Sequence, residues 1–149
     1  MNEIIRLQIT QDDVDKYNRY YFLKHPKAKK KRILRPIHPS INQWSTVDSR
    51  ITMNLLKQSW KEFSMFYCKA HKLCDMHLDD YAMEFVSYMP TRRRADPDNY
   101  VPKFILDGFV ESGFLVDDDG AHMRALILRT GYDANNPRTE INVRIFKED

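Results

Sequence analysis

Hydrophobic and polar residues alternate with a period of two in three stretches of the chain. In residues 3–10, Ile5, Leu7 and Ile9 stand against Arg6, Gln8 and Thr10. In residues 81–88, Tyr81, Met83 and Phe85 stand against Ala82, Glu84 and Val86, and Pro90 follows. In residues 139–146, Ile141, Val143 and Ile145 stand against Glu140, Asn142 and Arg144. Each pattern predicts a strand with one buried face. Residues 122–132 read as a fourth strand, with a turn at Asn135, Asn136 and Pro137 after it. Residues 48–73 carry Ile51, Leu55, Phe63, Phe66, Ala70 and Leu73 at near-helical spacing, so they predict the longest helix, capped by Asp48 and facing the core through that stripe. A shorter helix is expected from Asn99 to Ser112, starting near Asp98 or Asn99. Pro102 falls in its first turn and Gly113 forms its left-handed cap. Residues 11–46, which hold Pro26, Pro36 and Pro39, read as irregular. No internal repeat or linker divides the chain. The expectation is one α+β domain over 1–149, a small mixed sheet packed by two main helices.

Composition narrows the function classes. The chain has 149 residues, 42% hydrophobic and 30% charged, with no apolar run near the roughly 20 residues that span a bilayer. The start, MNEIIRLQIT, lacks the features of a signal peptide, so a cytoplasmic location in a bacterial or phage-infected cell is expected. Two cysteines, Cys68 and Cys74, do not make a disulfide scaffold.

The net charge of +3 hides strong segregation. From Arg19 to Arg35 there are eight Lys or Arg and no acid, with Lys29, Lys30, Lys31 and Arg32 consecutive. Arg92, Arg93 and Arg94 form a second basic run. From Asp96 to Asp119 there are seven acids and one base, Lys103. Basic segments beside an acidic pocket suit a protein that grips phosphates and places metal ions among them.

The acids lie in two clusters. Asp96 and Asp98 flank Pro97 between a strand and a helix, where residues two apart point to the same side. Asp117, Asp118 and Asp119 form a turn after the helix. Crowded carboxylates repel, so a site built from both clusters calls for a cation. Oxygen donors without a local His or Cys favour Mg2+ or Mn2+. Such an ion activates water and offsets charge on a phosphodiester. Lys103, one helical turn before Asp107, is placed to stabilise the transition state. Taken singly, each cluster also reads as a helix cap or a solvated turn. An EF-hand is excluded because no Glu closes a loop begun at the Asp117–Gly120 stretch. Cys68, His71, Cys74 and His77 recur every third residue, but on a continuous helix that spacing rotates around the axis and closes no zinc tetrahedron.

The stretch 92–120 resembles the RusA family of Holliday junction resolvases. The matching words are MP-x-RRR-x-D-x-DN at Met89 to Asn99, K-x-x-x-D at Lys103 to Asp107 and GF-x-x-DD at Gly113 to Asp118. NRYY at Asn18 to Tyr21 is similar to a family loop, whereas residues 22–80 match little. The resemblance implies a RusA-like homodimer that nicks four-way DNA junctions with Mg2+ or Mn2+. By motif it implies Asp96, Asp98 and Asp118 as metal ligands, Lys103 as catalytic, and Asn99 and Asp107 as supporting residues. Asp117 is an alternative third ligand. Candidate DNA contacts are Asn18, Arg19, Lys29, Lys30, Lys31, Arg32, Arg92, Arg93 and Arg94. Two departures stand out: Lys103 lies one position later than the family spacing, and Ala95 replaces a basic residue. The displacement of Lys103 keeps open a branched-DNA-binding protein without catalysis. A nuclease of flaps or other branched forms is a third reading.

Overall fold

The computed structural model describes residues 2–46 and 49–147. It is an α+β fold around one four-stranded mixed sheet. The strands are β1 (Asn2–Ile9), β2 (Tyr81–Met89), β3 (Met123–Tyr132) and β4 (Arg138–Phe146). Their order is β1-β4-β2-β3; β2 and β3 run parallel and the other pairs antiparallel. The period-two rows predicted the inward faces of β1, β2 and β4. Leu7, Ile141, Phe85 and Leu128 stand side by side across the four strands and all join the core. A parallel pair needs a crossover connection, and the helix between β2 and β3 supplies it.

The helices are α1 (Gln11–Lys24), α2 (Ile41–Ser45), α3 (Arg50–Ala70) and α4 (Lys103–Ser112), with a 3-10 turn at Pro97–Tyr100. Phe63 and Tyr67 of α3 and Ile105 and Phe109 of α4 are buried in the core they share with the sheet. The two helices approach closely at Gly108. A Cβ there would stand 2.5 Å from the Ser64 Cβ and 2.6 Å from the Lys61 carbonyl oxygen.

Three expectations are corrected. Residues 11–46 are not wholly irregular. Thr10 and Asp13 form a reciprocal capping box that starts α1, and Val14, Tyr17 and Asn18 bury one side of it. The prolines act only on the loop that follows. The long helix is shorter than expected and packs through a different stripe. It starts after Ser49, whose hydroxyl accepts from the Thr52 amide, and ends before Lys72, which adopts a left-handed φ of 59°. The expected cap, Asp48, lies outside the described residues. Ser59, Trp60, Phe63, Ser64, Tyr67 and Cys68 are its buried positions, whereas Ile51 and Leu55 are 74% and 59% exposed. The helix expected from Asn99 is divided: Asn99 lies in the 3-10 turn, Pro102 precedes the helix proper, and α4 begins at Lys103. Gly113 does cap it in the left-handed region, at φ 93°.

Candidate functional site

The predicted site residues fall at the two ends of α4. At its N-terminal end, Asp96 caps the 3-10 turn through its backbone, its carbonyl accepting from the Asn99 amide at 3.0 Å. Asp96 and Asp98 are both exposed, and the Arg94 Nε donates to the Asp96 carboxylate at 3.1 Å. The Asn99 Oδ1 accepts from the Asn42 amide at 3.2 Å, tying the turn to the start of α2. Lys103 is the first residue of α4 and is exposed. The next amide, that of Phe104, donates to Nε2 of His38 at 3.0 Å.

At the other end, the Tyr81 hydroxyl donates to the Asp117 carbonyl at 2.5 Å, and the Asp118 amide donates to the Asp117 carboxylate at 2.8 Å. Partial burial raises the Asp118 pKa above the usual carboxylate range. A hydrogen bond with the Asp117 side chain and the negative charges of Asp117 and Asp107 raise it further. The helix face that carries Lys103 and, one turn on, Asp107 therefore leads toward the acidic turn. Asp119 holds the His122 Nδ1 at 2.6 Å, and this hydrogen bond raises the His122 pKa. The same contact lowers the Asp119 pKa.

Among the described residues, Asp117, Asp119 and His122 can hold a metal ion, each offering a donor atom within 4.8 Å of the others. Two donors on opposite sides of an ion bound at about 2.1 Å stand about 4.2 Å apart, so a small closure suffices. Only Asp117 of this group was among the predicted ligands. His122 also corrects the expectation of an acidic turn without a local histidine. The missed signal was a histidine three residues after the last aspartate. A mixed nitrogen and oxygen set suits a first-row transition ion as well as Mg2+.

The two acidic turns are not packed against each other. The Thr130 hydroxyl donates to the Ala95 carbonyl at 3.1 Å, just before Asp96, whereas Asp117–Asp119 precede Met123 at the other end of β3. The seven steps from Met123 to Thr130 span about 23 Å of strand. The acids acting on Asp118 are Asp117 and Asp107, not Asp96 or Asp98.

The candidate phosphate contacts divide into two groups. Lys29, Lys30, Lys31, Arg92, Arg93 and Arg19 are exposed and, among the described residues, make no ion pair; Arg92 lies over the Tyr132 ring at 4.1 Å. Arg94 is also exposed, but it is paired with Asp96. Arg32 and Asn18 are corrections. Arg32 is bound by Glu62, Ser59 and Tyr17. Asn18 is buried, its Oδ1 accepting from the Arg32 and Ile33 amides at 3.0 and 3.2 Å and its Nδ2 donating to the Ile33 carbonyl at 2.7 Å. Both shape the base of the basic loop: Asn18 is buried, and Arg32 is half-buried with its guanidinium already paired.

The cysteine–histidine series likewise forms no ligand set among the described residues. Its first member, Cys68, lies in the core, where burial pushes the thiol pKa up to about 12. No helix of the described residues is long and apolar enough to cross a membrane. Comparison of the chain with protein-family models and with curated proteins returns no match.

Proposed function

We propose that this protein is a divalent-metal-dependent endonuclease of branched DNA, acting on four-way junctions as a homodimer. The observation that carries the reading is the acidic turn at one end of α4, where Asp118 is partly buried beside the charges of Asp117 and Asp107. From it, the face of Asp107 and Lys103 leads to the D-x-DN turn at the other end. The resemblance to RusA-type resolvases assigns Asp96, Asp98, Asp118 and Lys103 to hydrolysis, with Asn99 and Asp107 in support. Asp117, Asp119 and His122 have the donor spacing for an ion, and Asp118 adds negative charge beside them. Within one protomer Asp96 and Asp98 lie about 23 Å of strand from that set, so in this reading they would reach the ion only from the partner subunit of the dimer. A bound Mg2+ or Mn2+ supplies an activated water and offsets phosphate charge. Lys103 stabilises charge on the transferring phosphate. Lys29–Lys31 and Arg92–Arg94 hold the backbone without reading sequence. A two-fold dimer matches a substrate with two equivalent strands.

The separation of the two acidic turns favours a second reading, a junction-binding protein that does not cut. The test is cleavage of a synthetic four-way junction, a flap and a linear duplex in Mg2+ and Mn2+, with Asp96→Asn, Asp98→Asn and Asp118→Asn as controls. Metal-dependent nicking of the junction, lost in the variants, is the expected result. Nicking of the flap in preference to the junction assigns a broader branched-DNA nuclease. Junction binding without nicking overturns the catalytic reading.

A further inference from the structure

We propose that His38 is a positioning residue that fixes the first turn of α4 and thereby the backbone of Lys103. The inference rests on the catalytic reading of Lys103, but its geometry is independent of it. A helix leaves its first amides without internal partners, and a side chain on the preceding residue commonly satisfies one. In α4 that preceding residue is Pro102, which makes no side-chain cap. The acceptor comes instead from His38, far away in sequence. Its Nε2 accepts from the Phe104 amide at 3.0 Å, and its Nδ1 lies 2.8 Å from the Pro39 carbonyl. An amide only donates and a carbonyl only accepts, so the ring is neutral with its proton on Nδ1. It is buried, with the Trp60 and Phe104 rings at centroid distances of 5.6 and 5.1 Å. Burial holds its pKa down at about 4, so the acceptor persists at neutral pH.

The segment around His38 touches the rest of the site as well. The Thr139 hydroxyl donates to the Pro36 carbonyl at 2.6 Å, and the Asn42 amide donates to the Asn99 side chain at 3.2 Å. Residues 36–42 therefore clasp β4, the D-x-DN turn and the start of α4 together. The exposed lysines 29–31 lie just before this clasp in the chain. His38 itself is too deep to touch DNA, so its effect is on the placement of Lys103 and not on substrate affinity.

The test compares His38→Phe, which keeps a ring but has no acceptor, with His38→Gln, whose Oε1 can replace Nε2. Junction cleavage should lose on the order of tenfold in kcat in His38→Phe at unchanged KM, and recover most of it in His38→Gln. In a Lys103→Ala background, His38→Phe should cost nothing further. Equal losses in both His38 variants, or an independent loss on top of Lys103→Ala, overturn the proposal. Hydrogen exchange at the Phe104 amide separates this proposal from the catalytic one. If the wild-type protein does not nick DNA, the catalytic reading fails. Faster exchange in His38→Phe, restored in His38→Gln, still supports the positioning role, and unchanged exchange overturns it.

Discussion

The two ends of α4 each carry aspartates and a histidine, and they are built in opposite ways. At the N-terminal end the histidine, His38, is buried and neutral, while Asp96 and Asp98 stand in solvent. At the C-terminal end the histidine, His122, is paired with Asp119 and its pKa is raised, while Asp118 is the partly desolvated acid. The first end is rigidified from beneath by groups that take no charge. The second concentrates charge that is only partly compensated within the protein. Preorganisation suits a residue that must sit still, such as Lys103. Uncompensated charge suits a place for a cation.

Substitution of the acids tests whether the two ends serve one reaction. Asp98→Asn and Asp118→Asn should each lower junction cleavage on the order of a hundredfold or more, as expected for groups acting as one unit. Loss in Asp118→Asn alone would assign the chemistry to the C-terminal end. The same variant should be more stable than wild type in metal-free buffer at neutral pH. A carboxyl whose folded pKa is raised loses its proton later than in the unfolded chain, so stability falls as pH rises through that window. Denaturant titration of Asp118→Asn against wild type measures the gain.

Acid sharpens the contrast from the other side. The folded pKa of His38 lies at about 4, below the ordinary 6.5, so the unfolded chain takes up a proton that the folded protein refuses. Stability should fall as pH drops from about 6.5 to about 4, by on the order of 3 kcal/mol from this group. Chemical denaturation across that range should show a shallower fall in His38→Gln. The smallest effect is expected at the exposed histidine. Asp119→Asn should move the His122 pKa back down toward its ordinary value, measurable by proton NMR titration, because the Asp119 hydrogen bond is the largest cause of its rise.

The sheet was legible in the sequence because each strand buries one face, and Tyr81, Met83 and Phe85 or Ile141, Val143 and Ile145 display that directly. Gly113 was legible because a left-handed cap needs a residue without a Cβ. The helix α1 was not, since its apolar side is carried by Val14 and Tyr17 with a buried asparagine, in a segment rich in charge. The α3 stripe misled at Ile51 and Leu55 because periodicity marks a face without saying what lies opposite it. In the candidate site, the carboxylate turns were visible as composition, but their separation depends on the parallel register of β2 and β3. His122 stands three residues after Asp119 in the sequence, whereas His38, a single histidine between prolines, has no local signature for its contact with Phe104.

Mn2+ titration followed by NMR reads whether the two acidic turns share one ion, because the paramagnetic ion broadens nuclei close to where it binds. With junction DNA present, the signals of Asp96 and Asp98 should disappear together with those of Asp117 and Asp118. Broadening confined to residues 117–122, with the 96–98 signals intact in the DNA complex, would contradict a shared ion.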